Sequence, residues 1–275
     1  MALLEKIERI KLNDDNKSHL EFTVEDYRKY LDMLKSMDPK MLKYFLELLK
    51  DTEVIQNQEA DIQDPLFLAT YSKLQRVTSL DKIVALSKKN QGKLEVKDLI
   101  HLHTILMKGT TEDFENGLRT DNNRFVGFFN NDGSKNIDYI PIDYQDIQQN
   151  LEQFLEYYNN ADTDNPFVVP IIAHGILAVM QAFNDGNTRL SRLIQHSKIW
   201  QLTNELYGVD LRLPALYLSK NYLCSLGQYR NLQKELAKND DDEAWNRWIR
   251  YNLNMADEQL FYLDNNVKRL IKQSN

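Results

Sequence analysis

A single cysteine, Cys224, stands in 275 residues. It has no partner for an internal disulfide, and such sparse cysteine usage suits a reducing, cytoplasmic setting. Its surroundings, Tyr222-Leu223-Cys224-Ser225-Leu226, read as core and not as the environment of a nucleophile. Proline and glycine are scarce too, six and nine, and seldom interrupt the periodic runs. That excludes a turn-rich β architecture and points to a mostly helical protein with short connections. No run is long and apolar enough to span a membrane. The opening residues show no basic segment leading into an apolar one, so no signal peptide is expected. The formal net charge is −7 without a basic stripe, which argues against nucleic acid as the main partner.

What is present is helical periodicity. Thr23-Val24-Glu25-Asp26 resembles an N-cap with a charged first turn, followed by Tyr27, Tyr30, Leu31 and Leu34 at helical spacing. Pro39 opens a further helix with an apolar face of Met41, Leu42, Phe45, Leu48 and Leu49. Asp64-Pro65 breaks the pattern, which resumes over 66–90 and again from Leu94 to Met107. His101 and His103 lie two apart and so point to different sides of that helix, which favours packing or surface roles over a metal site. Arg124–Phe129 and Ile137–Pro141 read as two strands around the turn Asn130-Asn131-Asp132-Gly133-Ser134, a lone hairpin in a helical chain. Asp143–Tyr158 is amphipathic. Pro166 begins a helix that is apolar nearly all round, as a central element should be. Helices are expected from Ser219, as cap, to about 236, around Trp245–Leu253, and from Met255 to Ile271. Asp240, Asp241 and Asp242 read as a solvated helix start.

The central helix leads into Phe183-Asn184-Asp185-Gly186-Asn187-Thr188-Arg189-Leu190-Ser191-Arg192. Asp-Gly-Asn is turn chemistry, and the helical pattern from Leu190 to Leu206 follows. A new helix would thus open with two cations, Arg189 and Arg192, one turn apart. Cations are disfavoured at a helix N-terminus unless an anion meets them. Backbone donors together with two arginines fit a phosphate, and Asp185 beside it could hold a divalent cation.

This stretch resembles the HxFx(D/E)GNGRxxR signature of the Fic (Fido) family, whose members mostly transfer AMP from ATP to a protein hydroxyl. Phe183, Asp185, Gly186, Asn187, Arg189 and Arg192 match, and His174 stands where a further family histidine often lies. Thr188 replaces a glycine, and Gln181 replaces the catalytic histidine. The resemblance implies ATP and Mg2+ as ligands, with Asp185 holding the metal. It places Gly186, Asn187 and Thr188 along the phosphates, Arg189 and Arg192 at the β- and γ-phosphates, and Phe183 as anchor. It makes the hairpin 124–141 a flap that docks a target protein, with Arg119 just ahead of it. A Gln amide has no titratable acceptor near neutral pH, and losing a general base typically slows a reaction by about 10²–10⁴-fold. His174 and His196 offer no obvious replacement. If position 188 needs positive φ, Thr188 strains the loop.

Many family members also carry an inhibitory helix, (S/T)xxxE(G/N), whose glutamate pairs with the second motif arginine. Glu59 falls in about the right place, with Ile55 and Ala60 departing from the pattern. A solvated glutamate is the competing reading. The expectation is thus an all-α Fic-like fold with one β-hairpin. It comprises an N-terminal helical region over 1–93, a core over 94–235, and C-terminal helices over 236–275. Three functions stay open: an impaired protein adenylyltransferase, a nucleotide-binding pseudoenzyme, and a partner-binding scaffold. Self-association as a homo-oligomer stays open as well.

Overall fold

The computed structural model describes residues 6–59, 79–89, 92–108, 117–130, 132–239 and 241–274. Among these the fold is helical, with one two-stranded antiparallel sheet. In chain order the elements are α1 (Asp14–Ser36), α2 (Pro39–Glu59), α3 (Ser79–Lys89), α4 (Val96–Met107), β1 (Val126–Phe129) and β2 (Lys135–Tyr139). Then follow α5 (Ile147–Asn160), α6 (Val168–Met180), α7 (Asn187–Tyr207), α8 (Ser219–Cys224), α9 (Leu226–Asn239) and α10 (Asp242–Ser274). No described helix is long and apolar enough to cross a membrane.

The core is built around α6. Its sequence, VVPIIAHGILAVM, is apolar except for His174, and eleven of its residues are buried. Pro170 sits in the first turn, where no intrahelical N–H is needed. The Asn165 side chain accepts from the N–H groups of Phe167 and Val168 and caps the start. The helix therefore begins after Pro166, not at it. A Cβ on Gly175 would lie 2.9 Å from both Trp245 and Trp248, so this glycine lets α10 lie directly on α6. Trp248 is fully buried and donates through Nε1 to the Ile171 carbonyl at 2.9 Å. His174 fills the rest of that contact, with its Nε2 2.8 Å from the Tyr229 hydroxyl and its ring near Tyr222 and Trp248.

Several local expectations give way to longer-range packing. Thr23 lies inside α1, whose cap is Asn13. Its hydroxyl bonds the His19 carbonyl and, at 2.7 Å, the Asp257 carboxylate on α10. The two closing helices are one, because no glycine or proline interrupts 242–274. The helix expected from Ser219 is instead two, α8 and α9, divided at Ser225. Cys224, at the end of α8, is exposed and not core.

The hairpin turns through 130–134, with the Asn130 N–H donating to the Ser134 carbonyl. Its register skips Asp138 between the pairs Val126–Tyr139 and Gly127–Ile137. Freed from the ladder, Asp138 meets Lys234 of α9 at 2.9 Å and ties the sheet to the body.

Candidate functional site

The loop between α6 and α7 is set by backbone conformation first. Gln181 ends α6 in the left-handed region, at φ 52° and ψ 53°. Among the described non-glycine residues it alone has positive φ. The second left-handed residue is Gly186, at φ 74°. A Cβ there would meet Met107 Sδ at 2.5 Å and His103 Nε2 at 3.2 Å, so a side chain would displace both neighbours as well as strain the left-handed backbone, and glycine avoids both. Thr188 lies in the first turn of α7 without positive φ, and the strain considered for it does not arise.

Three contacts hold the loop shut. The Phe183 ring is buried and stacks on His103, with centroids 3.9 Å apart. His103 lies fully buried on α4 and donates from Nε2 to the Asp185 carbonyl at 2.8 Å. Burial lowers its pKa, so a neutral ring with the proton on Nε2 fits this place. Asn187 folds back over the loop, accepting from the Phe183 N–H at 2.9 Å and donating to the Phe183 carbonyl at 2.9 Å. The preceding segment zips onto the same loop. Leu118 bridges Phe183, and the Arg119 N–H donates to the Ala182 carbonyl. The buried Arg119 guanidinium donates to the carbonyls of Gln181, Asp121 and Ile142. One side chain thereby joins the motif loop to both ends of the hairpin.

The Gln181 amide is fully engaged. Its Oε1 accepts from Asn187 at 3.1 Å, and its Nε2 donates to the Ala178 carbonyl at 2.7 Å. The Tyr139 hydroxyl, at the end of β2, also interacts with it. Burial raises the Tyr139 pKa, which keeps that phenol protonated and unfit as a base.

The charged groups form a chain of pairs. Asp185 Oδ2 accepts from Arg189, four residues on and almost wholly buried. Its Oδ1 lies 3.8 Å from the Arg124 guanidinium at the foot of the hairpin. Arg124 Nε is buried and makes no hydrogen bond among the described residues. The fully buried Arg192 points the other way, to the end of α2. It donates to Asn57 Oδ1 at 2.6 Å and to the Asn57 carbonyl at 2.7 Å. Asn57 Nδ2 in turn reaches the Arg189 carbonyl at 3.2 Å. One turn back on α2, the buried Glu53 accepts from Ser219 at 2.5 Å and lies 3.2 Å from His196 Nδ1, out of line for a hydrogen bond. His196 Nε2 accepts from the Leu218 N–H. The two histidines flanking the motif, His174 and His196, are therefore committed to packing.

No cluster of three metal-ligating side chains occurs among the described residues. Asp185 is a lone carboxylate, which suits a hard cation that takes its remaining ligands from phosphate and water.

Sequence reasoning placed the motif residues together but missed Asn57, Arg124 and Tyr139. The inhibitory candidate Glu59 ends α2, and its side chain lies outside the described residues. The contact with Arg192 that is described belongs to Asn57. A signal for it was available, because the pattern (S/T)xxxE(G/N) moved three residues back puts Thr52 and Asn57 at its two ends. Gln56 then takes the glutamate position. No such pattern marks Arg124, since its neighbour in space is 61 residues away in the chain.

Residues 93–197 match the model of the Fic/DOC family. Two solved structures of C. elegans Fic-1 fragments share the fold. The fragment "aa134 - 508" aligns over 93% of this chain and 74% of its own length, at 16% identity and a TM-score of 0.63. A form of that fragment with one glutamate replaced by glycine aligns over 91% and 73%, at 14% identity and a TM-score of 0.62. No curated protein matches the sequence.

Proposed function

We propose that the loop 181–192 binds the phosphates of ATP with Mg2+, on the scaffold of a protein adenylyltransferase that lacks its general base. In that reaction the oxygen of a target hydroxyl attacks the α-phosphorus. The bond from the α-phosphorus to the bridging oxygen breaks, pyrophosphate leaves, and the hydroxyl proton needs an acceptor. The observation that carries the phosphate reading is Arg189 in the first turn of α7, paired with Asp185, and the state of Gln181 accounts for the missing base. The Gln181 amide is spent on Asn187 and the Ala178 carbonyl, and a Gln amide has no titratable acceptor to give. Arg189, Arg192 and the first turn of α7 remain suited to an anion. Asp185 would hold the metal once phosphate draws Arg189 away, and the metal would neutralise charge on the phosphates. Phe183, Gly186, Asn187 and Thr188 shape the loop around them. Arg124 would join the phosphate ligands from the hairpin side.

The target segment would lie along the hairpin 124–141, where Ile137 and Ile140 are exposed and a strand can be added. The end of α2 restrains the site, because Asn57 occupies the arginine that the γ-phosphate would need. A nucleotide-binding pseudoenzyme is the second reading, and the same Gln181 contacts favour it.

Gln181→His separates the two. Histidine tolerates the left-handed backbone better than most residues, so the loop should survive the change. Labelled ATP is expected to transfer AMP to this chain or to added protein in the variant and not in the parent. ATP binding without any transfer in the variant would leave the pseudoenzyme.

A further inference from the structure

Arg124 stands two residues before β1, so its backbone belongs to the hairpin while its head group reaches the motif loop. The guanidinium lies 3.8 Å from Asp185 Oδ1, beyond hydrogen-bond reach. The other oxygen of that carboxylate is already taken by Arg189. Arg124 Nε is buried and makes no hydrogen bond among the described residues, although the side chain as a whole is 35% exposed. A buried donor without an acceptor is rare and calls for an explanation. The nearby Arg119 supplies none, because a guanidinium only donates and the two charges repel.

The two sides of the hairpin are held differently. On the β2 side, Asp138 meets Lys234 at 2.9 Å and the Ile142 carbonyl takes Arg119. On the other side, β1 pairs with β2, and the bulge opposite Val126 and Gly127 turns the strand close to Arg124. Bulges of this kind re-aim side chains beside active sites. We propose that Arg124 is a latch between nucleotide and target: its guanidinium binds a nucleotide phosphate and so draws the hairpin onto the motif loop, in the position that receives the target segment. The inference rests on the reading of the loop 181–192 as a phosphate site. A guanidinium–phosphate contact is charge-assisted and can be two-pronged. Nucleotide therefore binds the closed hairpin better than the open one and shifts the balance towards it. By linkage, a target segment that holds the hairpin closed tightens nucleotide binding by the same factor.

The test is amide hydrogen exchange of the hairpin in the full chain, with and without MgATP, beside calorimetry of MgATP on the same proteins. In the parent, saturating MgATP should slow exchange over 126–129 and 135–139 severalfold. Arg124→Gln should bind MgATP roughly tenfold or more weakly, the scale of lost charge-assisted contacts. At saturation its hairpin should exchange as fast as without nucleotide, with folding checked by circular dichroism. Arg124→Lys keeps the charge without the planar fork and should fall between the two. Protection that persists in Arg124→Gln at saturation, or MgATP binding by the parent without protection, would overturn the latch and leave the phosphate site standing. No MgATP binding by the parent would overturn both.

Discussion

Gln181 sits in a backbone region that disfavours most side chains, and it stays because its surroundings hold it. Such a position costs on the order of 1–3 kcal/mol. Here Arg119 takes the Gln181 carbonyl and Asn187 takes its amide oxygen. Two left-handed residues, 181 and 186, bracket the turn, so Thr188 can be an ordinary helical residue. The motif letters gave the residue types in the loop. They did not give the fold-back of Asn187, which depends on how the two helices meet.

Lys198 carries a separate residue-scale prediction. It is 3% exposed on α7, with its ammonium 4.8 Å over the Tyr158 ring. Burial lowers its pKa to about 8. The unfolded chain would bind this proton up to about pH 10.5 while the folded chain releases it above about 8. Stability therefore rises through that window from this group, and below pH 8 the charged form is a burden of about 3 kcal/mol. Lys198→Met should raise the denaturant midpoint at pH 7 and flatten the difference from the parent by pH 10.5. An equal offset at both pH values would count against the assignment.

At the scale of elements, α2 matters most. Its sequence pointed to an inhibitory segment, and its described side chains put Asn57 on Arg192 and Glu53 beside His196. A neutral amide and a carbonyl hold a cation less firmly than a carboxylate does. Asn57→Ala removes one acceptor from Arg192, and MgATP affinity should rise by about 2–10-fold, the worth of one hydrogen bond. Calorimetry that found affinity unchanged or weaker would remove α2 from the account. Helix boundaries were the least legible feature here. Thr23 looked like a cap because its local sequence fits one, yet its hydroxyl bonds Asp257 across the interface with α10. The hairpin was legible from its turn residues, whereas the register skip that frees Asp138 for Lys234 was not.

Over the whole molecule, the apolar helix α6 lies at the centre against α7, itself buried on nearly all sides, and the two hold the motif loop between them. Composition and periodicity predict the place of α6, because an all-round apolar helix has no stable place except the centre. Which helix ends reach the loop is not periodic information. Arg124 from the hairpin and Asn57 from α2 arrive through tertiary packing alone. They leave the motif arginines paired within the protein, Arg189 with Asp185 and Arg192 with Asn57. A phosphate must exchange those pairs for its own.

That exchange is the central claim, and titration calorimetry of ATP with magnesium tests it directly on the parent chain and on Arg189→Ala. The account predicts saturable binding by the parent and a loss of roughly tenfold or more in the variant, the worth of a charged hydrogen bond. Equal binding by both proteins, or none by the parent, would contradict it.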